Sequence, residues 1–109
     1  MQVVTSVSQQ AVQIGREIFR QCGTMTLLCL GAHDKTIVDD TKNGRVTVLF
    51  KCSGVNIKKG GKVMITYRMG MDDYEVKIGR VRNMEFTPVC ELEGVYCDQL
   101  ESILNQVVG

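Results

Sequence analysis

A chain of 109 residues, 44% hydrophobic and 23% charged, has the composition of a folded protein and the length for one core, not two. Its 13 Lys/Arg and 12 Asp/Glu leave a net charge of only +1, which excludes a uniformly polyanionic or polycationic body. No apolar run approaches the roughly 18 residues that span a bilayer. Met1–Thr5 lacks the basic-then-apolar order of a signal peptide. The expectation is a single domain over residues 1–109, cytoplasmic and without a membrane partner.

Val7, Ala11, Ile14 and Ile18 recur at the spacing of one helix face. Ser6 and Gln9 are placed to form a capping box, and Gly23 supplies a stop. Gly15 inside this helix weakens it by about 1 kcal/mol relative to Ala. Thr26–Leu30 and Thr36–Val38 then read as short strands, separated by Gly31-Ala32-His33-Asp34. Asn43-Gly44 signals a hairpin, since both residues tolerate positive φ. In the strand that follows, Arg45–Cys52, Val46, Val48 and Phe50 share one face, and Thr47, Leu49 and Lys51 the other. Val63–Met69 alternates likewise, and Tyr74, Val76 and Ile78 continue the period of two. Gly79 marks a bulge, and Pro88 makes Phe86–Glu91 an edge strand. Tyr96, Leu100, Ile103 and Val107 predict a closing helix, with Tyr96 as a core contact.

The fold class implied is α+β: an N-terminal helix, an antiparallel meander of about five strands and a C-terminal helix. Each helix is apolar on one side only, so both pack on one face of the sheet. The other face, with Thr47, Lys51, Thr66, Arg68 and Lys77, then meets solvent or a partner.

The five cysteines are odd in number and lack any tight Cys-x2-4-Cys knuckle. They read as reduced thiols packed like small apolar residues, and neither a metal nor a cofactor is expected. No nucleophile elbow or phosphate-cradling Gly-Lys-Ser/Thr loop is present. Asp39-Asp40 and Asp72-Asp73 read as solvated turn residues. The chain is not expected to be an enzyme.

Charge is unevenly distributed. Between Lys42 and Arg82 ten basic residues face three acidic ones, a local charge of +7, whereas residues 83–109 carry five acids and no base, −5. The candidate contact residues are Lys51, Lys58, Lys59 and Lys62, around the Gly-rich connection Ser53–Gly61, with Arg68, Lys77, Arg80 and Arg82. A Lys/Gly loop offers phosphates both mobile cations and free backbone amides. Aromatic residues are few, and the alternation turns Phe50, Tyr67 and Tyr74 inward, which disfavours a base-stacking platform.

Asp72-Asp73-Tyr74-Glu75-Val76-Lys77-Ile78-Gly79-Arg80-Val81-Arg82, followed by Glu93-Gly94-Val95-Tyr96-Cys97-Asp98-Gln99-Leu100, resembles the pattern of a family of small uncharacterised open reading frames from tailed phages, plasmids and integrated elements. The chain departs from that pattern at Cys97, where a small residue such as Ala is usual. It also ends at Val108-Gly109, where members continue with a Thr-Gly-Leu-Tyr-type tail. The resemblance implies mobile-element cargo acting by stoichiometric contact with a host macromolecular complex, protein or protein–nucleic acid. An inhibitor of a defence nuclease such as a CRISPR effector (an anti-CRISPR role) fits that setting, with the acidic C-terminal region imitating nucleic acid. The residues themselves support a second expectation, direct nucleic-acid binding through the Lys51–Arg82 region. A third is a homodimer or larger homo-oligomer pairing through an exposed strand edge.

Overall fold

The computed structural model describes residues 2–3 and 7–109. In chain order these form β1 (Gln2–Val3), α1 (Gln9–Cys22), α2 (Thr24–Cys29), β2 (His33–Asp40), β3 (Arg45–Cys52), β4 (Gly61–Arg68), β5 (Asp73–Arg82), β6 (Glu85–Val95) and α3 (Leu100–Val107). The strands make one sheet in sequence order, with β1 parallel to β2 and every later pair antiparallel. The α+β meander between two terminal helices is therefore the architecture, with the short β1 added at one edge.

Strict alternation builds the core. The register aligns Ile37, Val48, Ile65 and Val76 in one row across β2 to β5, and all four are buried. Phe50, Val63 and Ile78 form the adjacent row. Ala11 and Ile18 of α1, Leu27 of α2, and Leu100 and Leu104 of α3 close over the same face in a single cluster. Each such side chain contributes about 1.5–3 kcal/mol by leaving water.

Several local expectations change. The segment Thr26–Leu30 is not a strand: Thr24–Cys29 is helical, its Thr26 and Leu27 facing the core. A six-residue apolar run carries no decisive period, and tertiary packing fixes its form. The brief strand at Thr36–Val38 extends to eight residues because β3 pairs along its length. The cap of α1 is Ser8, whose Oγ accepts from the Ala11 amide at 3.1 Å; Ser6 lies outside the described residues. In the β2–β3 hairpin only Gly44 is left-handed, following a 3-10 turn over Thr41–Asn43. Tyr96 is not a core contact but 60% exposed. A 3-10 turn, Cys97–Gln99, precedes α3 and shifts the helical phase, so the core positions begin at Leu100.

The bulge at Gly79 and the edge at Pro88 coincide. Gly79 pairs with Pro88 where the register shifts, leaving Val89 extra on β6. A second shift lies between Tyr74 and Val76. A missing N–H, two irregularities and the acids Glu85, Glu91 and Glu93 are devices that discourage strand addition at a sheet edge.

Gly15 marks the closest approach of α1 to the sheet. A Cβ there would lie 2.5 Å from Ile37 Cδ1 and 2.8 Å from Ile37 Cγ1. Helix propensity alone favours Ala at this position by about 1 kcal/mol, but overpacking a filled core costs about 1–3 kcal/mol. Gly15→Ala should therefore lower the denaturant midpoint, and Ile37→Val, which removes Cδ1, should recover part of the loss in the double variant. Additive losses in that cycle would show that the two positions do not collide.

Candidate functional site

The β3–β4 connection is held from below. Ile57 is fully buried, the Gly54 amide donates to Ile57 O at 2.8 Å, and the Asn56 amide donates to Val108 O at 3.0 Å. Asn56 Nδ2 also donates to Gln106 O at 3.0 Å. With Ile57 anchored, the next residues, Lys58 and Lys59, are exposed. The connection is then joined to β5: Val81 N donates to Gly60 O at 2.8 Å, and Arg80 Nη2 donates to Asn56 O at 3.1 Å. Gly60 has φ +67°, and a Cβ on it would sit 2.6 Å from Val81 O. Only glycine fits there. The result is a groove of about 590 Å³ lined by Lys58, Lys59, Arg80 and Arg82 together with Val55 and Val81. Among the described residues none of these four cations lies within ion-pair distance of a carboxylate.

The remaining sequence candidates fall elsewhere. Lys51 and Lys62 are direct cross-strand partners beside this groove on the open sheet face. Lys51 is already paired with Asp34, Nζ to Oδ2 3.2 Å. Lys77 stands mid-sheet opposite Glu91. Arg68 is at the far end of β4, about 20 Å from Lys62 at 3.3 Å per residue. It donates through Nε and Nη2 to both Asp73 oxygens at 2.7 Å, and through Nη1 to Glu75 Oε1 at 3.4 Å. This fork-to-fork pair occupies the guanidinium, whose side chain is only 15% exposed. Arg68 belongs to the fold and not to the groove.

The sequence poles are also not the spatial ones. β6 runs the length of the sheet, so Glu85 pairs with Arg82 at the basic end while Val95 reaches Tyr74 at the other. Asp72, Asp73 and Glu75 gather at that second end, roughly 30 Å along β5 from Arg82.

A second groove opens at the acidic end, about 420 Å³ in volume, between α1 and the β4–β5 turn. All three tyrosines of the chain line it, Tyr67, Tyr74 and Tyr96, together with Glu17 and Asp72. Alternation correctly puts Tyr74 inside but gives no hint that the hydroxyl ends converge. The signal was the register pair Tyr67–Tyr74.

The cysteines are all free: Cys22 and Cys52 are buried as small apolar residues, whereas Cys29 and Cys97 are exposed and not packed. Burial pushes the Cys22 thiol up to about 12 and that of Cys52 to about 11. Among the described residues no three Cys, His, Asp or Glu side chains are grouped as metal ligands, and no helix is long and apolar enough to cross a membrane. No protein-family model matches this chain, and neither the curated proteins nor the solved structures contain a match.

Three carboxylates are held below their ordinary range, Glu17 by its hydrogen bond from Arg20 and two others by contacts between elements. The Arg68 fork lowers Asp73, and amides of Ser8 and Thr41, donating at 2.8 and 2.9 Å, lower Asp39. Each contributes stability that is complete above the unfolded value near pH 4 and is lost as pH falls through the lower folded value. Denaturant midpoints should thus decline below about pH 4, and Asp73→Asn should both lower the neutral midpoint and flatten that decline. An acid limb unchanged in Asp73→Asn would remove the clasp as its source.

Proposed function

We propose that this is a small non-catalytic binding protein that contacts the phosphate backbone of a nucleic acid through the Lys58–Lys59–Arg80–Arg82 groove. The observation that carries this reading is the convergence of four cations, from a loop and a strand distant in sequence, on one groove without carboxylate partners among the described residues. Among the described residues no aromatic ring lines the groove, so recognition would follow the backbone and not stacked bases. The groove leaves open whether the nucleic acid is free or carried by a host complex. The mobile-element setting, and within it inhibition of a defence nuclease, rests on the resemblance of the Asp72–Arg82 and Glu93–Leu100 tracts.

Four phosphate contacts correspond to a salt dependence with a slope of about −3 to −4 in log K against log salt. Fluorescence anisotropy with labelled duplex and single-stranded oligonucleotides at low salt should show saturable binding. Lys58→Ala/Lys59→Ala should weaken it about tenfold or more and reduce the slope by about 2. Lys42→Ala, an equal change of charge per residue at the opposite end of the sheet, should leave it unaltered. Absence of binding at about 50 mM salt, or an equal loss in Lys42→Ala, would refute the assignment.

A further inference from the structure

The tyrosine groove has a chemistry of its own. Tyr67 and Tyr74 are cross-strand partners with ring centroids 5.3 Å apart and a tilt of 46°. Tyr74 donates its hydroxyl proton to Gln21 Oε1 at 2.6 Å, and Tyr67 donates to Asp72 Oδ1. Gln21 Nε2 in turn donates to Glu17 Oε1 at 3.2 Å, and the Tyr96 amide donates to Gln99 Oε1 at 2.9 Å. These donors are engaged within the protein. What these groups leave toward the groove is lone pairs, carboxylate oxygen and aromatic faces, beside the Gln13 amide and the Tyr96 hydroxyl. Burial pushes the Tyr74 phenol up to about 12, and the hydrogen bond to Asp72 raises that of Tyr67, so both keep their protons at neutral pH.

The charge is also defined. Glu17 is compensated by Arg20, whose Nε donates to Glu17 Oε2 at 2.9 Å. Asp72 forms no ion pair among the described residues, and it is presented by a left-handed backbone (φ 51°) in the β4–β5 turn. An acceptor-lined, tyrosine-walled groove with one uncompensated carboxylate selects a planar cationic donor. A guanidinium lies flat on a tyrosine ring while its N–H edge meets a carboxylate. The groove also has length: Gln13, Glu17 and Gln21 line it on successive turns of α1, a span of about 12 Å. That is the reach of about three extended residues, and Gln13 offers an amide to a passing backbone.

We propose that this groove binds an arginine side chain presented by an extended segment of a partner protein, with Asp72 as counter-charge and Tyr67, Tyr74 and Tyr96 as walls. The site is at the opposite end of β5 from the basic groove and does not depend on it.

The test is an amide-resolved NMR titration of the intact protein with the blocked peptide acetyl-Gly-Arg-Gly-amide, its citrulline counterpart and N-methylguanidinium. Saturable shifts centred on Tyr67, Asp72, Tyr74 and Tyr96 are expected with the arginine peptide, and binding at least about tenfold weaker with citrulline, which has the shape without the charge. Asp72→Asn, which tolerates the left-handed backbone, should weaken binding about tenfold, and Tyr96→Ala, at an exposed position, about threefold. Equal shifts with citrulline, or shifts centred instead on Glu85, Glu91 and Glu93, would overturn the site. N-methylguanidinium binding as tightly as the peptide would overturn the assignment to a polypeptide.

Discussion

A pleated strand can turn only every second side chain toward its helices, and the rest of this molecule follows from that. Once Val46, Val48 and Phe50 of β3, Val63 and Ile65 of β4, and Val76 and Ile78 of β5 are committed to one face, the residues between them must face away. The open face is thus obliged to carry Arg45, Thr47, Lys51, Lys62, Thr66, Arg68, Glu75 and Lys77. Like charges meet in some cross-strand pairs, Lys51 with Lys62 and Arg45 with Arg68. The second of these conflicts is resolved by Asp73 and Glu75 on the next strand, Arg45 itself reaching Glu75 at 3.9 Å. The first is relieved only in part, by Asp34.

How much was readable in the sequence follows the same rule. Strands β3, β4 and β5 are legible because long alternation has one solution, and α1 is legible from its four-three-four spacing. Thr24–Cys29 is not legible, because six apolar and hydroxyl residues satisfy a strand and a helix alike, and only the packing of Thr26 and Leu27 decides. Tyr96 is misplaced by periodicity because a 3-10 turn advances the chain by a different angle per residue. The basic groove is half legible. The composition of the Ser53–Gly61 connection points to Lys58 and Lys59, whereas the choice of Arg80 and Arg82 over Arg68 depends on which end of β5 meets the connection. That is a matter of register, with Gly61 opposite Arg80 and Arg68 opposite Asp73. The connection holds two β-branched apolar residues, and only the fold shows that Ile57 is the buried anchor whereas Val55 is exposed.

The two grooves differ in construction. The basic one is a loop clamped onto a sheet, its lysines exposed and its backbone tied to the end of α3 through Asn56. The tyrosine one is built from a helix, a strand pair and a turn, with the Tyr67 and Tyr74 hydroxyl protons directed at internal acceptors. Exposed cations without carboxylate partners suit a ligand of repeating charge and variable sequence; packed rings and oriented oxygens suit a single side chain.

The placement of these charges at the ends of β5 affects more than the contacts themselves. A body with net charge +1 is barely drawn as a whole to a distant polyanion, yet the four groove cations and Asp72 lie some 30 Å apart along β5, opposite in sign. Were the basic groove the contact proposed above, the field of a charged filament would turn the body so that Lys58 and Lys59 lead. Added salt shortens the range of that field to about 10 Å or less. It would therefore weaken alignment during approach and slow association through such a groove.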